Sequence, residues 1–86
     1  MKVSVDLTLN PLSDEYEHSI KTFIKKIRSL GFKVIENPLS TQIYGEYDSL
    51  MSSLQEIIRE TFEEESFVIL NLKIVKGDRS KYVPSF

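Results

Sequence analysis

The alternation of apolar and polar residues constrains the fold of this chain more than any other feature, because its period changes repeatedly between that of a strand and that of a helix. Every second residue over 3–9 is apolar, as in a strand with one buried face. Pro11 ends this segment, because proline cannot donate to a sheet ladder. Apolar residues then recur at helical spacing over 16–30, and Gly31 provides the expected stop.

The remaining two thirds of the chain repeat this layout. Residues 32–36 predict a short second strand, which a proline turn at 37–38 separates from a third strand over 41–47. Apolar residues at helical spacing over 50–62 predict a second helix. The β-prone segment 67–75 predicts the last strand.

The resulting order, β-α-β-β-α-β, predicts the α+β class and a ferredoxin-like sandwich, in which a four-stranded antiparallel sheet carries two helices on one face. With 86 residues, the chain has the size of one domain. We expect this domain to span 1–76 and to be followed by a C-terminal tail over 77–86. Right-handed crossovers are expected to bring the first and last strands together at the sheet centre.

Two helices on one face leave the opposite face of the sheet open. The residues expected on this open face are Ser4, Asp6, Thr8 and Asn10 of the first strand and Phe67, Ile69, Asn71 and Lys73 of the last. The residues of the last strand expected in the core are Val68, Leu70, Leu72 and Ile74. A mixed surface of this kind is seldom left bare. We therefore expect a second copy of the chain to cover it, sheet to sheet or edge to edge.

Composition excludes several classes of function. A net charge of -2 argues against a nucleic-acid partner, which would require clustered Lys and Arg. The absence of cysteine excludes disulfides, thiolate zinc sites and thiol catalysis. Residues 1–6 begin directly with strand-like alternation, so we expect no signal peptide, no membrane span and a cytoplasmic location.

The densest polar chemistry lies over 37–48, where a purely structural hairpin would not need it. The hydroxyls of Ser40 and Thr41 and the amide of Gln42 are suited to pair with ring nitrogens of a small ligand. Tyr44 is suited to stack on a flat ring or to hold a cation against its face. The alternative for the two hydroxyls is that they satisfy backbone groups of the turn.

Outside this segment, the candidates are fewer. Asn10 and Asn71 add amides that we expect near the same ligand. His18 is the only histidine and has no partner at metal-ligand spacing, so we expect no metal site. The carboxylates near the predicted strands show no spacing typical of an acid–base pair, and we expect no catalytic residue and no cofactor. These carboxylates are Asp6, Glu36, Glu46 and Asp48.

Several segments resemble one known family. The run Pro-Leu-Ser-Thr at 38–41, followed by Gly-Glu at 45–46, is similar to the proline-x-serine-threonine and glycine-glutamate signature of YkoF-related thiamine/hydroxymethylpyrimidine-binding domains. The exit from the last strand over 73–80 and the end of the first strand at 10–12 are also similar, so the resemblance covers nearly the whole chain. Leu39 stands where the family often has methionine, which is a volume-conserving change.

The resemblance implies a ferredoxin-like domain that binds thiamine or its hydroxymethylpyrimidine moiety without turning it over, and that assembles as a homodimer or homotetramer. Such binding would serve vitamin B1 transport, storage or sensing. Among the six predicted ligand contacts, Ser40 and Thr41 match the family motif. The other proposed contacts rest on residue chemistry; they are Asn10, Gln42, Tyr44 and Asn71, with Asp6 and Glu46 as an anionic wall for the thiazolium cation.

Two alternatives stand beside this interpretation. The first is a regulatory or interaction module that oligomerises through its open face and has no small-molecule ligand. The second is an acylphosphatase-like hydrolase on the same fold. The hydrolase would need an anion-cradling loop with an arginine after the first strand, whereas residues 10–15 contain no arginine and two acids.

Overall fold

The computed structural model describes residues 1–86 and confirms the predicted order of elements. The strands are β1 (Lys2–Pro11), β2 (Lys33–Glu36), β3 (Thr41–Glu46) and β4 (Val68–Lys76), and the helices are α1 (Tyr16–Ser29) and α2 (Tyr47–Glu64). The strands form one antiparallel sheet, with α1 packed on β1 and α2 packed on β3. This is the ferredoxin-like α+β sandwich that the sequence predicts.

The position of β4 in the sheet differs from the prediction. The strand order is β2-β3-β1-β4, so β1 and β4 are neighbours as expected, but β1 and β3 occupy the centre. Each crossover skips one strand, since α1 leads from β1 past β3 to β2, and α2 leads from β3 past β1 to β4. β4 is therefore an edge strand, paired along one side only.

The core lies between the sheet and the two helices, on the side that strand alternation and helical spacing predict. Each helix contributes one apolar stripe, and β1 contributes every second residue. The ten buried apolar side chains are Val3, Val5, Leu7 and Leu9 of β1, Phe23 and Ile27 of α1, Ile43 of β3, and Leu50, Leu54 and Ile57 of α2.

None of the four residues predicted for the core in β4 is fully buried. Val68 and Leu70 pack against the core, whereas Leu72 and Ile74 are 41% and 43% exposed. Leu72 and Ile74 do face the helices, because they lie opposite buried residues of β1. The helices, however, pack over β1 and β3, so the outer part of the edge strand has no cover.

Two basic residues near the end of α1 tie this helix to its neighbours. The Lys26 ammonium lies 3.2 Å from the Glu60 carboxylate and 3.0 Å from that of Glu64, which joins α1 to the acidic end of α2. Arg28 donates two hydrogen bonds to Glu36, at 2.6 and 2.7 Å, and these bonds hold the pKa of that carboxyl below its usual value. The second contact fixes α1 against β2 and the turn that follows it.

Candidate functional site

The strand register separates the predicted site residues onto two faces of the sheet. Successive strand residues point to opposite faces. Thr41 lies opposite the inward-facing Leu7 and therefore faces the helices, where it is 6% exposed. Gln42 and Tyr44 face the other way, onto the open face. Thr41 and Gln42 are thus adjacent in sequence but cannot contact one small ligand together.

A cleft of about 300 Å³ lies where β3 begins and β1 continues past it, and we term it the turn cleft. Its volume is at the lower end of the range of small-molecule sites. Three of the six predicted contacts, Asn10, Ser40 and Thr41, line it. Its other lining residues are Leu7, Thr8 and Leu9 of β1, Ile20, Phe23 and Ile24 of α1, and Asn37, Pro38 and Leu39 of the turn.

Neither of the two signature hydroxyls forms a hydrogen bond with the backbone of this turn. The Asn37 N–H donates to the Ser40 carbonyl at 2.9 Å, and the Thr8 hydroxyl donates to the Leu39 carbonyl at 3.4 Å. The hydroxyls of Ser40 and Thr41 thus do not act as the turn-stabilising groups of the alternative interpretation. Both hydroxyls are left for a bound molecule.

A backbone edge adds polar groups that residue types alone do not reveal. The last β1–β3 pair joins Leu7 to Thr41, and β1 continues beyond it. The backbone hydrogen bonds of successive β1 residues alternate between β4 and β3. The Leu12 N–H and the Lys2 carbonyl bond towards β4, so even-numbered residues of β1 face β4 and odd-numbered residues face β3. The N–H and C=O of Leu9 therefore point towards the β3 side, where pairing has ended and the turn cleft opens.

The walls of the turn cleft are largely apolar. Phe23, which is 3% exposed, contributes an aromatic ring, and Ile20 and Ile24 of α1 are half-buried beside it. Leu39 stands at the rim and is 88% exposed. Apolar walls with a few polar groups along one edge suit a flat heterocycle, whose faces are apolar and whose ring nitrogens form hydrogen bonds.

A second, smaller cavity of about 220 Å³ lies on the open face. We term it the open-face pocket; its lining residues are Ser4, Val5, Asp6, Gln42, Tyr44, Lys73, Val75 and Arg79. The Tyr44 hydroxyl donates to Oε1 of Gln42 at 2.9 Å. Oδ1 of Asp6 is buried there without a hydrogen-bond partner. The polar groups of this pocket are thus partly engaged with one another.

The start of the C-terminal tail closes one side of the open-face pocket. Gly77 has a φ of 101°, a conformation that favours glycine and turns the chain away from β4 onto the sheet. The Ser4 hydroxyl then donates to the Gly77 carbonyl and accepts from the Arg79 N–H, both at 2.8 Å. These bonds attach the tail to β1.

The remaining predicted contacts are Asn71, Asp6 and Glu46, and of these only Asp6 lines one of the two cavities. Asn71 lies opposite Thr8 on the exposed edge strand and lines neither the turn cleft nor the open-face pocket. Asp6, one of two acids expected near the thiazolium, lies in the open-face pocket. The other, Glu46, forms an ion pair with the Met1 ammonium.

Tyr44 offers a test of the open-face pocket. Burial raises the pKa of its hydroxyl, and the carboxylates of Asp6 and Asp78 raise it further. In Asp6→Asn we expect the pKa of Tyr44 to fall but to stay above the ordinary value of about 10, because burial remains. NMR titration of the tyrosine ring signals measures this. An unchanged pKa would show that Asp6 does not act on this hydroxyl.

The sign of the linked stability follows from the direction of the shift. A raised pKa means that the folded state holds the Tyr44 proton more tightly than the unfolded state does. The contribution to stability is complete below the ordinary tyrosine pKa, about 10, and is lost as the pH rises through the higher folded value. We therefore expect this group to lower stability only in strongly alkaline solution.

His18 lies away from both cavities described above. It lines a polar cavity of about 400 Å³ between the first turns of α1 and the end of α2, together with Glu15 and Glu64. No three His, Cys, Asp or Glu side chains come together in a way that could hold a metal ion. Neither helix combines the length and the apolar character needed to cross a bilayer.

Comparison of the sequence with known families gives one match. The profile of a family described as thiamine-binding protein matches residues 5–82, which include the turn cleft and all of the open-face pocket except Ser4. No curated protein matches the sequence.

Comparison with solved structures finds similar folds in several organisms. A Streptococcus pneumoniae protein is 29% identical with a TM-score of 0.83, over 91% of this chain and 89% of its own. A Thermotoga maritima protein provisionally assigned to thiamine biosynthesis or salvage is 28% identical with a TM-score of 0.78, over 86% of this chain and 82% of its own. A Bacillus cereus domain of unknown function is 17% identical with a TM-score of 0.71, over 99% and 79%, and supports the fold alone.

Proposed function

Because this chain belongs to the thiamine-binding protein family, we propose that it binds thiamine or its hydroxymethylpyrimidine moiety in the turn cleft. One observation supports this site most directly: Ser40 and Thr41 line a cleft of ligand size, and neither of their hydroxyls bonds to the turn beside them. The same two residues carry the family-like signature in the sequence.

The chemistry of the cleft favours the pyrimidine ring over the thiazolium ring as the part held inside. No carboxylate lines the turn cleft, so a cation buried there would lack a counter-charge. The neutral aminopyrimidine instead needs hydrogen-bond donors and acceptors along its edge. We propose that the hydroxyls of Ser40 and Thr41, the amide of Asn10 and the backbone of Leu9 supply them.

The proposed activity is binding without turnover. General acid–base or nucleophilic chemistry requires a titratable group or an activated nucleophile beside the substrate. The turn cleft offers hydroxyls, amides and apolar side chains, with no histidine or carboxylate to activate them. We propose a role in transport, storage or sensing of vitamin B1, in the cytoplasm, for a homodimer or homotetramer.

A regulatory or interaction module remains the second candidate function, and exposed apolar residues favour it. Leu12, Phe67 and Ile69 are 58%, 64% and 47% exposed at one end of the sheet. Apolar groups gathered on a surface typically contact another protein. This candidate predicts stable assembly without a small-molecule ligand, so binding measurements distinguish the two.

Calorimetric titration with thiamine and, separately, with hydroxymethylpyrimidine tests the leading proposal. We expect saturable binding of one molecule per chain at micromolar affinity or tighter, which is roughly 8 kcal/mol of binding free energy. If the pyrimidine occupies the interior, hydroxymethylpyrimidine retains most of this affinity. No heat and no thermal shift with either compound would overturn the proposal in favour of the interaction module.

A further inference from the structure

The outer side of β4 is the least protected strand edge in the molecule. β4 runs for nine residues, Val68–Lys76, and pairs only with β1. It contains no proline, and its register with β1 is continuous from Val68 to Lys76, without a bulge. Natural proteins usually blunt such an edge with proline, a bulge or charged side chains, because its unpaired backbone groups can add a further strand, and of these devices β4 has only Lys73 and Lys76.

The hydrogen bonds at both ends of β4 show which of its residues face outward. The Gly77 N–H donates to the Lys2 carbonyl at 2.8 Å, and the Phe67 carbonyl accepts from the Leu12 N–H at 3.1 Å. Backbone groups alternate between the two sides of a strand. Odd-numbered residues of β4 therefore bond to β1, and even-numbered residues present their N–H and C=O outward.

Two of these even-numbered residues also carry exposed apolar side chains. Leu72 and Ile74 face the helix side of the sheet but remain 41% and 43% exposed. A strand added at this edge would therefore satisfy outward backbone groups and cover apolar side chains at once. Leu72 is also the midpoint of β4.

We infer that β4 pairs antiparallel with β4 of a second copy, about a two-fold axis at Leu72, and joins two sheets into one of eight strands. This register pairs every residue of Val68–Lys76. It places Leu72 opposite the partner's Leu72 and Leu70 opposite the partner's Ile74, apolar against apolar. The contact is isologous, as expected for a two-fold dimer.

Charge disfavours the neighbouring register that is centred on Lys73. A two-fold axis at Lys73 would place its ammonium directly opposite the partner's Lys73, and like charges in that position destabilise a sheet. With the axis at Leu72, Lys73 instead lies opposite the partner's Asn71. Asn71, which lines neither the turn cleft nor the open-face pocket, then has a role in the interface.

This inference specifies the interface of the oligomer proposed above and does not depend on ligand binding. Sedimentation velocity over a range of concentrations tests it with two variants. Leu72→Lys places two ammonium groups opposite each other and should weaken dimerisation by roughly 100-fold or more. Leu12→Lys, which changes an apolar residue that directly follows β1 and is 58% exposed, should leave dimerisation unchanged.

The outcomes of sedimentation separate the possibilities. A dimer lost in Leu72→Lys and retained in Leu12→Lys supports edge pairing, provided that circular dichroism shows both variants folded. A chain that is monomeric at all concentrations overturns the inference, whatever its affinity for thiamine. A dimer lost only in Leu12→Lys also overturns it and assigns the contact to the end of the sheet where Leu12 lies beside Phe67.

Cysteine cross-linking tests the register independently of any loss of folding. The chain contains no cysteine, so a single introduced thiol can pair only with its copy. Hydrogen-bonded pairs have Cα atoms about 5.5 Å apart, which suits a disulfide. Leu72→Cys should cross-link under mild oxidation, whereas the similarly exposed Ile74→Cys, opposite the partner's Leu70, should not. Equal cross-linking at both positions, or none at 72, overturns the register.

Discussion

Replacing Gly45 with valine is expected to destabilise the fold by about 2–3 kcal/mol, within the range measured for overpacked cores. Gly45 lies opposite Val3 and faces the helices. A Cβ built at this position would lie 2.6 Å from Cδ1 of Phe32 and 3.3 Å from Cδ1 of Leu50. Carbon atoms approach favourably only to about 3.5–4.0 Å. Phe32 and the start of α2 would therefore have to move.

The contact with Phe32 decides whether Gly45→Val lowers or raises the stability of the fold. Replacing a glycine at a compatible backbone position normally stabilises a protein by about 0.4–1 kcal/mol, because the unfolded chain loses conformational freedom. Gly45 is not among the glycines with positive φ, so its backbone gives no reason against a side chain. The clash must exceed this gain for the variant to be less stable, and overpacking is large enough.

Urea unfolding of four proteins measures the effect and its cause. These are the wild type, Gly45→Val, Phe32→Ala and the double variant. Phe32→Ala alone should also destabilise, because its ring packs against the core. If the clash is the cause, the double variant should be more stable than the sum of the single effects predicts, by about 1 kcal/mol or more. Additive effects would contradict this explanation.

Much of the fold was predictable because one physical signal, the period of burial, recurs in every element. The alternation over 3–9 predicts the inward side of β1, and the apolar spacing over 16–30 and 50–62 predicts both helices. The spacing of apolar residues indicates which side of an element faces the core, but not how much of the sheet the helices cover. Leu72 and Ile74 therefore satisfy the strand pattern and still lie half-exposed at the edge.

The composition of the site was only partly predictable. Thr41 and Gln42 were grouped by their nearness in sequence, although strand geometry directs successive side chains to opposite faces. Applied to the predicted strand 41–47, this rule would already have separated Thr41 from Gln42 and Tyr44. The backbone contribution of Leu9 had no signal in the sequence, because it depends on where the β1–β3 ladder ends.

The separation of the predicted contacts into two cavities makes a pair of matched substitutions informative. Thr41→Val and Tyr44→Phe each remove one hydroxyl and leave a side chain of similar shape. Thr41 lines the turn cleft on the helix side, and Tyr44 lines the open-face pocket on the other side of the sheet. The two variants therefore report separately on the two cavities.

Thr41→Val is expected to weaken binding of hydroxymethylpyrimidine by about 10–100-fold in Kd. Thr41 is 6% exposed, so a ligand atom bonded to its hydroxyl would be left unpaired in a desolvated cleft. Such a loss costs about 1–3 kcal/mol. The fold should be retained, since the Thr41 hydroxyl is not needed to satisfy the turn, and thermal unfolding checks this.

Tyr44→Phe is the control, and calorimetric titration of both variants separates the two cavities. The Tyr44 hydroxyl bonds to Gln42, so its removal disturbs only the open-face pocket. We expect the Kd for hydroxymethylpyrimidine to stay within about twofold of the wild type. If affinity instead falls in Tyr44→Phe and is unchanged in Thr41→Val, the pyrimidine binds on the open face. The turn cleft would then not be the ligand site, although the protein would still bind thiamine.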